Sequence, residues 1–391
     1  MINFDKLYTE FEKTIDISGF TNKYSENNCS IRFLLLRSLD KPHLIELMGL
    51  KKHSITNGDF KNILKQAYNS STTIEDILSY IESKRTIIDN ERKKAEEGLY
   101  NIINNYGSVN CGLRNDKVDD IVKDLVRDKS IKSIDMLLNR IDKDIIPKIR
   151  NYILWSFYNQ TTNDLIEHYF IKHSKIIPTL RKIHHIDFFI KIDNNIIPFD
   201  LKITHVAEDF FDLYSKGLIE NDENSSDSYS INENGESEIE IIKSYYKKNK
   251  QIMSLPNYGG LSRKELLDIL SSRHDEKTLN FVKSIYDLRR NSVEKIGSEL
   301  KKLEWWNYKY QGERLFSNNN RLFIFLAYTN AFEDGRPLKG KLDVIESAVN
   351  DLLNSINVNK INTIKYHYDK DPSKVGNYSA KSVSILIKGE K

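Results

Sequence analysis

The stretch 183–204, IHHIDFFIKIDNNIIPFDLKIT, decides how this chain is read. β-Branched and aromatic residues fill two runs on either side of the polar DNN, the pattern of two strands joined by a tight turn. Alternation places Asp187, Phe189 and Lys191 on one face of the first strand, and Asp200, Lys202 and Thr204 on one face of the second. A two-residue turn at Asn194-Asn195, where Asn tolerates positive φ, sets Asp187 opposite Lys202 and Phe189 opposite Asp200. Directly opposed residues have Cβ atoms ~5 Å apart and diagonal ones ~7 Å. Asp187, Asp200 and Lys202 therefore converge on one face of one hairpin. Both strands are apolar enough to be central, and a charge in such a place needs a reason.

Two carboxylates held this close repel each other unless a cation lies between them. Mg²⁺ is the expected occupant, with Mn²⁺ as a substitute. It takes oxygen ligands and commonly uses one or two carboxylates, completing its shell with water and substrate phosphate. A neighbouring lysine suits the orientation of an attacking water and the stabilisation of developing negative charge. The alternative for the same residues is an ordinary hairpin with a cross-strand salt bridge between Asp187 and Lys202.

Asp187, followed on the adjacent strand by Asp200-Leu201-Lys202, resembles the PD-(D/E)xK signature of restriction-endonuclease-like nucleases, with Ile186 at the proline position. The resemblance implies an α/β fold with a restriction-endonuclease-like α/β/α core. It implies that Asp187 and Asp200 hold the metal and that Lys202 serves the water. It also implies a further metal ligand on the preceding helix, where Glu167 stands; a plain solvated glutamate is the alternative. The activity implied is a Mg²⁺-dependent endodeoxyribonuclease acting on double-stranded DNA, of the type II restriction or phage-defence kind, working as a homodimer. The rival readings are a nuclease of repair, mobile-element processing or RNA cleavage, and a non-catalytic DNA-binding module on the same fold.

The surroundings fit a polyanionic partner. No acidic residue stands between Glu167 and Asp187, whereas Lys172, Lys175, Arg181 and Lys182 do, with His168, His173, His184 and His185. A cationic surface beside an acidic metal site is what a phosphate backbone requires. Zinc is a weaker option, because His184 and His185 would point to opposite faces of a strand. Farther on, KKLEWWNYKYQGER (301–314) interleaves Lys with Trp305, Trp306, Tyr308 and Tyr310. Such residues either stack on bases or pack against the core.

Residues 1–150 read as a helical domain, with apolar spacings of three and four over Asp59 to Tyr68, Thr73 to Ser83 and Val118 to Arg140. The charged run 83–98 reads as a solvated helix face or a lever. Residues 151–391 read as the α/β core, with a helical insertion over about 206–315 that begins with an acidic, Ser- and Asn-rich segment (218–240). A helix over 151–173 is expected to break at Thr161 or Thr162, with Asp164 supporting the new cap and Gln160 nearby. RLFIFLAY (321–328) has the continuous apolar character of a strand buried on both faces. A helix over 341–356 and strands near 361–368 and 381–388 follow.

The chain has 391 residues and a net charge of +3, too small to argue for or against nucleic acid by itself. Cys29 and Cys111 are too few for a disulfide framework or a zinc ligand set, so a reducing, cytoplasmic location is expected. The N-terminus lacks the basic and apolar regions of a secretory signal, and no apolar run reaches the ~18 residues of a membrane span.

Overall fold

A computed structural model describes residues 2–105, scattered positions between 121 and 131, and residues 133–219, 235–313 and 316–391. Six strands form one sheet: β1 Ile176–Ile183, β2 Ile186–Ile192, β3 Asn195–His205, β4 Arg321–Tyr328, β5 Asn362–Tyr368 and β6 Gly376–Gly389. Their spatial order is β1-β2-β3-β4-β6-β5. The first three form an antiparallel meander, β4 lies parallel to both β3 and β6, and β5 pairs antiparallel to β6. The chain is thus mixed α/β. Every residue of β4 is buried, as its unbroken apolar run requires.

Alternation along the strands feeds two layers. Phe188, Ile190, Phe199, Leu322 and Ile324 pack with Leu165, Ile166 and Phe170 of the helix Ile146–Ile171 and with Ile345 and Val349 of the helix Leu342–Ser355. On the other face, Phe323 and Phe325 pack with Phe210, Leu303 and Tyr308. Farther along, Ile177, Ile183, Ile186 and Phe189 join Phe33, Leu34 and Ile77 of the N-terminal helices in one core.

That last cluster changes the domain picture. The first hundred residues form helices as expected, including Phe60–Asn69 capped by Asp59 and Ile74–Glu96 capped by Thr73. Yet their core is shared with β1 and β2, and the boundary expected at 150 falls inside the helix Ile146–Ile171. The charged run 83–98 continues the helix Ile74–Glu96 and braces the sheet. Arg85 donates to the carbonyls of Ile171 and Ile176 at 2.7 Å each. Of the helix expected over Val118 to Arg140, Ile134–Arg140 is helical, and 118–120 lie outside the described residues, as do 220–234 of the acidic segment.

The expected break at Thr161 or Thr162 is absent. The Thr162 hydroxyl donates to Tyr158 O at 2.8 Å within an unbroken helix, so it needs no cap position. Gln160 donates to Asp164 one turn on, at 2.8 Å, rather than capping. The insertion is helical, with Glu238–Asn249, Arg263–Ser271 and Glu276–Ser298 closing around Ile242, Tyr246, Leu266, Leu270 and Ile285.

Candidate active site

The β2–β3 turn falls one position earlier than expected. Ile192 pairs with Asn195, so Asp193 and Asn194 make the turn, with Asp193 at φ +52°. Asp accepts that left-handed conformation nearly as readily as Asn does. Every pairing shifts accordingly, and extending the register puts Asp187 opposite Asp200 rather than Lys202. The shift moves each partner by two residues, so the faces are preserved: Asp187, Asp200 and Lys202 still share one side.

The site forms where β3 changes partner. Its ladder with β2 ends at Phe188–Phe199, and its ladder with β4 begins at Asp200–Arg321. Just past the last β2 rung, the Asp187 carboxylate takes the place of a backbone carbonyl: its Oδ2 accepts the Leu201 N–H at 2.7 Å. This bond locks Asp187 beside Asp200.

Electrostatics mark the pair. The Asp187 carboxyl is pushed up to about 7, first by burial and then by the Asp200 charge; the Leu201 N–H opposes this and Glu167 adds to it. Lys202 keeps contact with solvent, yet protein surrounds it closely enough that loss of water is the main cause lowering its ammonium below the usual range. Arg321 pushes it the same way and Asp200 opposes. No ion pair joins Asp187 to Lys202 among the described residues, so the simple salt-bridged hairpin is not what forms. His184 and His185 are the two turn residues between β1 and β2 rather than neighbours along a strand. His185, at φ +63°, is pushed down to about 4, chiefly by burial and then by His184, and is neutral at pH 7.

The remaining expected site residues are placed less simply. Glu167 is near enough to raise Asp187, but its carboxylate is bound by Arg92 at 2.7 Å. Among the described residues, no group of three His, Cys, Asp or Glu side chains stands close enough to hold a metal ion. The acid-free interval in sequence is not acid-free in space. Lys172 lies 3.9 Å from Glu346, and buried His168 bridges Glu96 and Asp89 at 2.6 and 2.9 Å. Lys175 donates to the carbonyls of Leu353, Asn354 and Ile356, capping the helix Leu342–Ser355. The Arg181 guanidinium stacks on Phe60 at 3.9 Å. Lys182 is exposed, with no ion pair among the described residues.

The aromatic segment belongs to the core. Tyr308 is fully buried with its O–H on Asn319 O at 2.7 Å, Trp305 and Trp306 pack beside it, and Tyr310 sits at the edge.

Two cations were not anticipated. Arg321, buried at the start of β4, lies 3.6 Å from Asp200. Its signal was available: an arginine opening an otherwise apolar buried strand needs a partner. Buried Lys339 donates to Asn159 and Asn163 at 2.8 and 2.6 Å, and is pushed down to about 7 by burial, Arg336 and Lys202. Asn159, Asn163 and Glu167 recur every four residues, so they line one stripe of their helix. Nothing local in sequence ties Lys339 to that stripe. Comparison with known protein families, with curated proteins and with solved structures returns no match.

Proposed function

We propose that this protein is a metal-dependent endonuclease that hydrolyses phosphodiester bonds in double-stranded DNA. The observation that carries the reading is the pair Asp187 and Asp200, held side by side at a strand fork with Lys202 one step along the same face. A carboxyl kept partly protonated near neutral pH by burial and by a second carboxylate beside it makes a pair that a divalent cation relieves. The two carboxylates present suit Mg²⁺, which needs few protein ligands. They would hold the ion, and its chemistry there is that of a Lewis acid on the phosphate.

The chain's own groups supply the rest. Asp187, fixed by the Leu201 N–H, and Asp200 orient the reacting phosphate through what they bind. Lys202, below its usual pKa, is suited to give or take a proton at the attacking water and to stabilise charge on the phosphorane. The resemblance of this hairpin to PD-(D/E)xK enzymes supports a restriction or phage-defence role. Glu167 joins this set as a ligand only if Arg92 releases it. Lys182, exposed and without an ion pair among the described residues, is the best-placed backbone contact of the four cations in the interval.

The test is cleavage of plasmid DNA with and without Mg²⁺. Asp200→Ala is expected to abolish Mg²⁺-dependent cleavage and to leave DNA binding largely intact. Wild-type cleavage by a folded Asp200→Ala chain would remove the assignment.

A further inference from the structure

Arg321 is 6 % exposed and sits directly beside Asp200 on the neighbouring parallel strand, so both side chains leave the same face. Its Nε lies 3.6 Å from Asp200 Oδ2 and, among the described residues, has no hydrogen-bond partner, although it is buried. The guanidinium is not free to turn away. Its Nη2 donates to Gln311 Oε1 at 2.7 Å and to the carbonyl and hydroxyl of Ser317 at 3.2 and 3.1 Å, and its plane lies over the Tyr308 ring at 5.0 Å. A buried N–H left without an acceptor is costly. This one is held against a carboxylate by four contacts on its far side.

Charge counting shows what that does. With both carboxylates ionised, Asp187 and Asp200 are matched by Lys202 and Arg321, so the fork by itself is close to neutral. A divalent cation entering alone would face the fixed guanidinium across Asp200. An anionic phosphodiester arriving with the cation removes that repulsion.

We propose that Arg321 is the resident counter-ion of the site: it neutralises Asp200 in the metal-free chain, and so makes divalent cation and phosphodiester bind together rather than separately. This rests on the metal-dependent reading above. It assigns Arg321 an action through Asp200, distinct from contact with substrate. It also gives an unusual sign. Removing the residue strengthens cation binding in the absence of DNA, whereas an arginine serving only to hold Gln311 and Ser317 would, when lost, weaken binding or leave it unchanged.

The experiment measures Mn²⁺ binding to the full chain by the electron paramagnetic resonance of the free ion. It is run with and without long mixed-sequence DNA built with slowly hydrolysed phosphorothioate linkages. In the wild type, DNA should raise Mn²⁺ affinity about tenfold or more. Arg321→Gln, which removes the charge and keeps an amide where Nε stands, should bind Mn²⁺ about tenfold more tightly than wild type without DNA and gain less from its addition. Arg321→Lys should behave as wild type. A folded Arg321→Gln chain that binds Mn²⁺ no more tightly than wild type overturns the proposal and leaves the metal-dependent reading standing. Should Arg321→Gln fail to fold, the wild type decides, because equal Mn²⁺ affinity with and without DNA overturns the proposal by itself. A wild type that binds no Mn²⁺ in either state overturns both.

Discussion

Asp187 holds its proton into the neutral range because burial and Asp200 both disfavour its charge, and one backbone N–H is not enough to compensate. A carboxyl whose folded pKa is raised binds protons more tightly native than unfolded. Its contribution to stability is fully present below the unfolded value, near 3.9, and is lost as pH rises through about 7. Asp187→Asn keeps an acceptor for Leu201 and has no charge to lose. In EDTA, the variant should therefore gain on wild type between pH 4 and pH 8, by something on the order of 2 kcal/mol after allowance for solvent. Urea unfolding of both chains at the two pH values checks this, and parallel pH profiles would show that Asp187 feels no repulsion. Mg²⁺ at pH 8 should raise the wild-type melting temperature more than the variant's.

At the scale of the element, the acid-free interval divides by what each cation touches. Arg181 is stacked on Phe60 and half-buried, while Lys182 stands in solvent. Arg181→Ala should cost about 1 kcal/mol of stability through the lost stacking and leave the salt dependence of DNA binding unchanged. Lys182→Ala should leave stability unchanged and lower the slope of log K against log salt by ~1. Denaturant unfolding and DNA titrations at several salt concentrations separate the two, and exchanged outcomes would mean that Arg181, not Lys182, meets the DNA backbone. The site hairpin was legible in sequence because strand parity survives a misplaced turn: moving the turn from Asn194-Asn195 to Asp193-Asn194 changes who faces whom but not which side they share. The turn itself was ambiguous, since Asp193, Asn194 and Asn195 all accept turn conformations. The fate of Lys175 was not legible, because its partners are carbonyls at the end of a helix some 180 residues away.

For the whole molecule, the layering of helices on a sheet was legible from the alternating and continuous apolar runs, and the division into two domains was not. Hydrophobic periodicity reports that a helix has a buried face, and says nothing of what covers it. Here Ile177, Ile183, Ile186 and Phe189 are covered by the N-terminal helices. A fragment comprising 151–391 would expose all four, cut the helix Ile146–Ile171, and lose the Arg85 and Arg92 anchors. It should be insoluble or unfold without a cooperative transition by circular dichroism. A soluble fragment with a sharp melt would show that the α/β part is self-sufficient. Lys339 escaped the sequence for the same reason, since it reaches the site from the far side of the insertion, whereas Arg321 was marked by its place at the start of an apolar strand.

That separation sets an order of events. The β1-β2-β3 meander is built from neighbours in sequence, so its loops close quickly and Asp187 meets Asp200 early. β4 arrives only after the long insertion, across a loop of roughly 120 residues whose closure is slower and entropically dearer. Until it docks, the paired carboxylates lack their guanidinium, and the edge of β3 that β4 will cover is open to strands of other chains. As long as β4 is undocked, that edge is both electrostatically unbalanced and adhesive, and a divalent cation would hold the two carboxylates together in place of Arg321.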